Sequence, residues 1–166
     1  MKVITYPDPI LDRQCDDVTT FDQALKRLAD DMAEAMYAAR GVGLAAPQVG
    51  LLHKFVLVDP SAGEAGNELI VLANPKITWA SIELATSEEG CLSLPGVFIP
   101  IVRPVACDVE YHDINGEIRS MKCTGWKARI VQHEVEHLAG ITMLNKVGSL
   151  ARRLALKNLT SGGYLQ

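Results

Sequence analysis

The chain has 166 residues, the length of one ordinary domain that can bury a sizeable core. Apolar residues make up 48% of the chain and charged residues 22%, which excludes disorder, collagen and a coiled coil. Sixteen basic and twenty acidic side chains give a net charge of −4, which disfavours a dedicated nucleic-acid binder. No run of eighteen apolar residues occurs, so we expect no transmembrane helix and no membrane association.

Hydrophobic spacing predicts an antiparallel α+β protein rather than alternating βαβ units. A capping box from Thr20 to Gln23 and a stop at Gly41 bound the first predicted helix. Asn74-Pro75 interrupts the second strand, and Asn115-Gly116 predicts a two-residue hairpin turn. In chain order, the predicted elements are a helix over 25–36, a strand over 54–59, a surface loop over 61–67, strands over 69–79, 104–112 and 117–123, and helices over 125–138 and 149–159.

The four cysteines show no paired short spacing, so free thiols are expected rather than a disulfide framework. The first ten residues lack the features of a secretory signal or a transit peptide. Together these features favour a reducing cytoplasm. We expect Cys15, Cys107 and Cys123 to be small buried side chains, because that is the commonest fate of a free cysteine.

The segment QHEVEH contains two histidines four positions apart. On an α-helix His133 and His137 lie on one face, one turn apart, where both imidazoles can bind one metal ion. Glu134 lies on nearly the same face and can act as a base and then as an acid toward a water. Ile130 and Leu138 flank the segment, so the helix is expected to be buried, and a metal would compensate the burial of the imidazoles.

Two histidines leave a catalytic metal site one protein ligand short, because three protein ligands and a water are usual. No histidine follows His137, so the third ligand must come from upstream. Cys91, in the segment EEGCLSLP, is the best candidate because a thiolate binds soft and borderline divalent metals. The alternative for Cys91 is a small buried side chain. Gly90 and Pro95 predict a turn here rather than a strand interior.

The segment GVGLAAPQVG is small and apolar, with Gln48 as its one polar side chain. It matches neither phosphate-loop pattern. Gln48 is therefore either solvent-facing, as is usual for a lone glutamine in a loop, or an amide donor directed at a developing oxyanion.

Together, the segments GVGLAAPQ, EGCLSLP and QHEVEH resemble, in order and spacing, the three signature segments of peptide deformylases. The segments YPDPIL and GWKARIVQHE and the Asn-Gly strand pair extend the resemblance over nearly the whole chain. The resemblance implies one catalytic domain over 1–166, with antiparallel sheets packed around a central metal-binding helix. It also implies a metal-dependent hydrolase that removes the formyl group from the N-terminal formyl-methionine of nascent chains.

The resemblance also implies roles for individual residues. One divalent metal, Fe²⁺ in the family's natural form with Zn²⁺, Ni²⁺ or Co²⁺ able to replace it, would be held by Cys91, His133 and His137. The implied catalytic groups are Glu134 as general base and acid, with Gln48 and the backbone N–H of Leu92 stabilising the oxyanion. The implied substrate contact is the backbone of Gly43, with Gly90 beside the metal ligand. By their positions in the sequence, Val42, Ile130 and His133 are expected to line an apolar pocket for the methionine side chain.

Two positions depart from the family pattern. Glu136 occupies a position where the family usually has Asp, and its extra methylene can shift a contact behind the metal ligands. Some members carry an Arg shortly after the cysteine segment that helps to hold substrate, whereas here the first one is Arg103.

Two other function classes compete with a deformylase. A general H-E-x-x-H metallopeptidase would need a third ligand downstream of the histidines, and a non-enzymatic binding module could have kept the fold without the activity. The helix over 149–159 carries Arg152 and Arg153, which are compatible with contact to ribosomal RNA, although a solvated helix face is the simpler interpretation. A monomer is expected.

Overall fold

The computed structural model describes residues 1–62 and 68–159. The helices and strands are, in chain order, α1 (Gln23–Ala38), β1 (Gly43–Ala45), β2 (Phe55–Val58), β3 (Ile70–Ala80), β4 (Leu84–Cys91), β5 (Leu94–Pro104), β6 (Ala106–His112), β7 (Ile118–Thr124), α2 (Gly125–His137) and α3 (Ser149–Leu156). Short 3₁₀ turns cover Pro9–Asp12, Ala46–Val49 and Met143–Lys146. The predicted α+β class is confirmed, and both sheets are antiparallel.

Helix α2 lies between two sheets. The larger sheet has the order β1-β2-β3-β6-β7, and β4 and β5 form the smaller one. Side chains alternate along β2, so Phe55 and Leu57 share a hydrophobic cluster with α1, while Val56 and Val58 share one with α2. On its other side α2 contacts β5, whose apolar face also packs on α3. The predicted central helix is therefore confirmed.

Both ends of α1 differ from the prediction. The N-cap is Asp22, whose carboxylate accepts hydrogen bonds from the N–H groups of the second and third helical residues at 2.9 and 3.0 Å. The predicted cap at Thr20 is thus wrong, because Asp22 directly precedes the helix and its side chain reaches these N–H groups. At the other end, the left-handed residue that follows the helix is Arg40 (φ 56°) and not Gly41.

Two predicted turns also take another form. Asn74 does not interrupt β3 but accompanies a register shift against β6, with φ at 50°. Its side chain accepts a hydrogen bond from Val18 N–H at Oδ1 (2.7 Å) and donates one from Nδ2 to Val18 O (2.9 Å). Such a bulge keeps the strand paired on both sides. Five residues separate β6 from β7. Asp113 N–H donates to Glu117 O, which leaves three residues inside this closing pair, and Gly116 N–H donates to Asp113 O, each at 2.9 Å. Gly116 closes it in the left-handed conformation (φ 84°).

The prediction missed β1 and the β4–β5 hairpin. Cys91 pairs with Leu94, so Leu92 and Ser93 form the hairpin turn. The turn predicted between Gly90 and Pro95 is present at Leu92 and Ser93, and Cys91 is the last residue of the strand before it, at a register shift after Gly90. The three prolines of β5 are tolerated because both strands of a two-stranded sheet are edge strands, where a missing N–H is accommodated.

The remaining predictions concern burial and chain segments. Cys15, Cys107 and Cys123 are buried free thiols, as predicted. Helix α3 ends at Leu156, before the predicted end at Leu159. Of the predicted loop over 61–67, residues 63–67 lie outside the described part of the chain. No helix in the described ranges is long and apolar enough to cross a membrane.

Candidate active site

Two elements bring together three side chains that form a candidate metal-binding group. Cys91 ends β4, and His133 and His137 lie one turn apart in α2. Their ligand atoms all lie within 4.8 Å of one another, and Cys91 Sγ is 3.4 Å from His137 Nε2. A tetrahedral ion with bonds of about 2.0–2.3 Å spaces its ligand atoms about 3.5 Å apart, so this group has the dimensions of a metal site.

The chemistry of the donor set also fits a divalent metal. One thiolate and two imidazoles are typical ligands of Zn²⁺, Fe²⁺, Ni²⁺ and Co²⁺. Burial, followed by the positive charges of His133 and Arg103, lowers the pKa of His137 well below its usual value, so the ring is in the neutral form that binds metal. Beside the ligands, Glu134 Oε2 is buried without a hydrogen-bond partner among the described residues. Buried oxygens are normally hydrogen-bonded, and a water in a metal site at this position would supply the donor that Glu134 Oε2 lacks.

Glu89 fixes His133 from the side opposite the cavity. Its carboxylate accepts hydrogen bonds from His133 Nδ1 (2.9 Å), from Arg103 Nε and Nη2 (2.6 and 2.9 Å) and from Arg129 Nη1 (2.7 Å). Desolvation raises the pKa of Glu89, but the hydrogen bonds from His133 and Arg103 outweigh it and lower the pKa to about 2. The hydrogen bonds to Cys91 and Glu89 outweigh burial and raise the pKa of His133 well above its usual value, so the ring without a metal is charged. Because a carboxylate only accepts, Glu89 holds a proton on Nδ1, and metal binding would release the proton from Nε2.

Glu136 extends this network beyond Arg103. Arg103 Nη1 lies 3.0 Å from Glu136 Oε1, and the same oxygen lies 2.6 Å from Lys146 Nζ. The longer side chain at the position that departs from the family pattern thus connects α2 to the 3₁₀ turn at 143–146. The Arg103 side chain is 2% exposed and lies between the carboxylates of Glu89 and Glu136. It is not among the described residues that line the cavity over the three candidate ligands.

Glu134 lies between the metal-binding group and β1. A Cβ placed on Gly43 would lie 2.8 Å from both Cγ and Cδ of Glu134, so this side chain packs on the bare backbone of β1. Burial raises the pKa of Glu134 to about 7, although the charges of His133 and Arg103 act to lower it. A carboxyl group with a pKa near neutrality can both take up and return a proton.

The Gln48 side chain is buried, which excludes the solvent-facing alternative. Its Oε1 accepts a hydrogen bond from Ala45 N–H (2.8 Å), while its Nε2 donates to Ser93 Oγ (3.1 Å) and lies 3.5 Å from Cys91 Sγ. Ser93 Oγ donates in turn to the carbonyl of Ile4 (2.7 Å). The amide therefore presents one N–H group, and not its oxygen, toward the cysteine.

An open cavity of about 620 Å³ lies over this group. The predicted site residues that line it are Val42, Gly43, Gly90, Cys91, Leu92, His133 and Glu134. Ile130 is absent from the described cavity wall. It is 3% exposed and packs in the core between α2 and the larger sheet, one turn before His133, so its expected contact with substrate is not supported.

Several further residues line the cavity and were not predicted, among them the large side chains of Arg40, Phe98 and Trp126. Trp126 lies seven residues before His133, which places both on one face of α2, so this signal was present in the sequence. Phe98 lies opposite Gly90 in the hairpin that was not predicted. Arg40 reaches the wall because of its backbone conformation after α1, which no sequence pattern indicated.

Comparisons with known proteins agree with this geometry. The family model described as polypeptide deformylase matches residues 1–153. Peptide deformylase of Thermodesulfovibrio yellowstonii is 42% identical over 157 residues, covering 95% of this chain and 94% of the relative. That of Desulfotalea psychrophila is 43% identical over 160 residues, covering 96% and 94%. The crystal structure of Arabidopsis thaliana peptide deformylase 1B with an inhibitor has a TM-score of 0.90 at 38% identity, covering 96% of this chain and 88% of that one.

These similarities extend over the whole site and not only over the H-E-x-x-H segment. A general metallopeptidase would need a ligand downstream of His137, whereas the side chain that meets the two histidines is Cys91, upstream of them. The chain therefore belongs to the polypeptide deformylase family of metal-dependent hydrolases, which remove the formyl group from the N-terminus of nascent polypeptides.

Proposed function

We propose that Cys91, His133 and His137 hold one divalent metal ion, natively Fe²⁺, in the active site of this deformylase. The observation that carries this proposal is the convergence of the three ligand atoms within 4.8 Å, beside the buried carboxylate of Glu134. Zn²⁺, Ni²⁺ and Co²⁺ are compatible replacements because they take the same donors. When bound, the metal supplies Lewis acidity, which lowers the pKa of a water and polarises the formyl carbonyl.

Glu134 transfers the proton. Its Oε2, which has no hydrogen-bond partner among the described residues, takes a proton from the attacking water and returns it to the amine nitrogen that leaves the formyl group. Packing against Gly43 limits the movement of the carboxylate, so the same oxygen serves both steps.

Gln48 and the backbone N–H of Leu92 stabilise the oxyanion that forms on the formyl group. The Gln48 amide is held by Ala45 and Ser93 with its second N–H group toward Cys91, and Leu92 follows Cys91 in the hairpin turn. Donors that are fixed before the reaction need no reorganisation as the negative charge develops.

The peptide binds in the cavity between β1 and β4. β1 is an edge strand of the larger sheet, and Gly43 lines the cavity beside Val42, with Gly90 of β4 on the opposite wall. Extended peptides pair with such edges through main-chain hydrogen bonds. The apolar side chains of the cavity wall then receive the methionine side chain.

Formate release from formyl-Met-Ala-Ser by the Ni²⁺-loaded protein tests this mechanism. We expect Glu134→Gln to lower kcat by about 10²–10⁴-fold while metal content stays unchanged, because the ligands remain and the proton carrier is lost. Glu110→Gln, an exposed change on β6, is the matched control and should retain turnover. Near-normal activity of Glu134→Gln would contradict the assigned role, and no formate from wild type would contradict the activity.

We also propose a single cytoplasmic domain over 1–166, acting as a monomer, that touches the ribosome through α3. This helix carries Arg152 and Arg153, whose positive charges suit an anionic RNA surface. Co-sedimentation with ribosomes, before and after removal of residues 150–166, tests the contact. Unchanged binding of the truncated protein would leave only the simpler interpretation, a solvated helix face.

A further inference from the structure

The C-terminal end of α1 has an arginine at a position where the backbone favours glycine. Arg40 N–H donates to Tyr37 O (2.9 Å), and Gly41 N–H donates to Met36 O (2.8 Å). This pair of hydrogen bonds defines the Schellman motif, in which the residue after the cap is left-handed and usually glycine. Here that residue is Arg40, with φ at 56°. Its Cβ introduces a steric strain that glycine avoids.

Arg40 also lies at the mouth of the active-site cavity. It precedes the wall segment Gly41–Gly43, and its side chain is exposed, whereas His133 and Glu134 at the inner end are buried. Among the described residues of the wall it is the one Lys or Arg, and its side chain forms no ion pair in the described ranges. A strained position therefore holds, beside the opening, a cation that has no ion-pair partner in the described part of the chain.

We propose that Arg40 is a specificity-determining residue that favours formylated peptides with an acidic side chain downstream of methionine. The inference rests on the proposed function, because a formyl group that reaches Glu134 at the inner end leaves the rest of the peptide to exit past Arg40. A carboxylate there is attracted to the guanidinium, and a lysine is repelled. The preference is moderate because the charges are exposed.

A different role for Arg40 would also account for part of its placement. A cation at the C-terminus of a helix interacts favourably with the helix dipole. Arg40→Gly separates the two roles. If Arg40 selects peptides, glycine relieves the strain and removes the peptide preference; if Arg40 only serves the dipole, glycine lowers the melting temperature and leaves the preference intact, which would overturn the proposal.

The experiment compares kcat/KM for C-terminally amidated formyl-Met tetrapeptides at low ionic strength. Each carries Asp or Lys at position two, three or four, with Ala elsewhere. We expect wild type to prefer Asp over Lys by about three- to tenfold at one position or more, a ratio that falls to about one in Arg40→Gln and in 0.5 M salt. Arg27→Gln, an equal charge change on the exposed face of α1, should keep the wild-type ratio. Equal ratios in wild type and Arg40→Gln at all three positions would overturn the proposal.

Binding of product peptides distinguishes this inference from the proposed function. Calorimetry on the Ni²⁺-loaded protein measures Kd for the non-formylated Asp and Lys peptides and needs no turnover. The same Asp-to-Lys ratio in Kd, lost in Arg40→Gln, would support Arg40 even if the mechanism assigned to Glu134 failed. Equal Kd values for both peptides in wild type would overturn the role of Arg40 while leaving formate release as the separate test of activity.

Discussion

At the scale of single residues, the hydroxyl group of Ser93 determines the orientation of the Gln48 amide. An amide can flip, because its oxygen and nitrogen have nearly the same shape. Two contacts of opposite polarity prevent this here. Ala45 N–H can only donate to Gln48, whereas Ser93 gives its own proton to Ile4 O and can therefore only accept from Gln48. The proposed oxyanion donor is thus connected to the N-terminal segment through one buried hydroxyl.

We predict that Ser93→Ala lowers kcat for formate release by about tenfold, because the amide loses one of the two contacts that orient it. The Gln48→Ala background tests the route. There, Ser93→Ala should cause no further loss, since residues that act through one another are non-additive. Ser87→Ala, on the exposed face of β4, is the control. Equal losses from Ser93→Ala in both backgrounds would show that Ser93 does not act through Gln48.

A second prediction at this scale concerns the sulfur ligand. Cys91→Ser should weaken Zn²⁺ and Ni²⁺ binding by at least about 100-fold, because an alcohol is a poor replacement for a thiolate. Competition with a chromophoric chelator measures the affinity. Cys15→Ser, a buried thiol outside the metal-binding group, is the control. Full metal occupancy of the Cys91→Ser protein would contradict its assignment as a ligand.

At the scale of elements, the sequence predicted what local periodicity determines. The two histidines of α2 share a face because of helical spacing alone, and β6 shows its buried face by alternation. The β4–β5 hairpin could not be predicted in this way. Its prolines and mixed pattern acquire meaning only when the two strands pair with each other and cover α2. The position of Cys91 beside the histidines is thus a tertiary result, although its residue type identified it as a ligand candidate.

The residues at the two ends of α1 also could not be identified from local sequence patterns. Gly41 has the residue type of a helix stop, yet the hydrogen bonds place the left-handed conformation one residue earlier, at Arg40. Likewise Asp22 rather than Thr20 caps the helix, because the choice depends on which side chain reaches the free N–H groups. Sequence patterns therefore located the helix to within a few residues but could not identify the side chain at the cavity mouth.

The loop after α2 provides a test of element packing. Gly140 has φ at 72°, and a Cβ there would lie 2.5 Å from the carbonyl oxygen of Asp12. We predict that Gly140→Ala lowers the free energy of unfolding by about 2 kcal/mol or more, since strain and a backbone clash combine. Gly125→Ala has a similar φ (55°) but open space around the Cβ, so it should cost about 1 kcal/mol. Equal losses in urea unfolding would contradict the contribution of Asp12.

At the scale of the whole molecule, a carboxylate at the end of β2 connects the larger sheet to α1. Asp59 accepts hydrogen bonds from Tyr37 Oη and from Ser61 N–H and Oγ. Burial raises the pKa of Asp59, but these hydrogen bonds outweigh it and lower the pKa below its ordinary value. Burial and the hydrogen bond to Asp59 raise the pKa of Tyr37 to about 12.

These shifts predict how stability depends on pH. Because the pKa of Asp59 is lowered on folding, ionised Asp59 stabilises the fold above pH 3.8, its ordinary pKa, and this stabilisation is lost as the pH falls below that value. Because the pKa of Tyr37 is raised on folding, protonated Tyr37 stabilises the fold below pH 10.0, its ordinary pKa, and this stabilisation is lost as the pH rises toward 12. We predict that Tyr37→Phe lowers the free energy of unfolding by about 1–2 kcal/mol at pH 7 and by less at pH 3. Urea unfolding of both proteins measures this difference. In an Asp59→Asn background, the effect of Tyr37→Phe on the free energy of unfolding should be the same at pH 7 and pH 3. An effect that is still smaller at pH 3 in this background would contradict the assignment of the pH dependence to Asp59.

The four cysteines differ in exposure, so thiol labelling can measure the metal content of the protein. Three thiols are enclosed in the core, and Cys91 is partly exposed in the cavity. A water-soluble alkylating reagent should therefore modify one position of the folded protein, and a coordinated ion should shield that position. The stoichiometry of labelling would then count the metal-free molecules in any preparation, independently of a substrate.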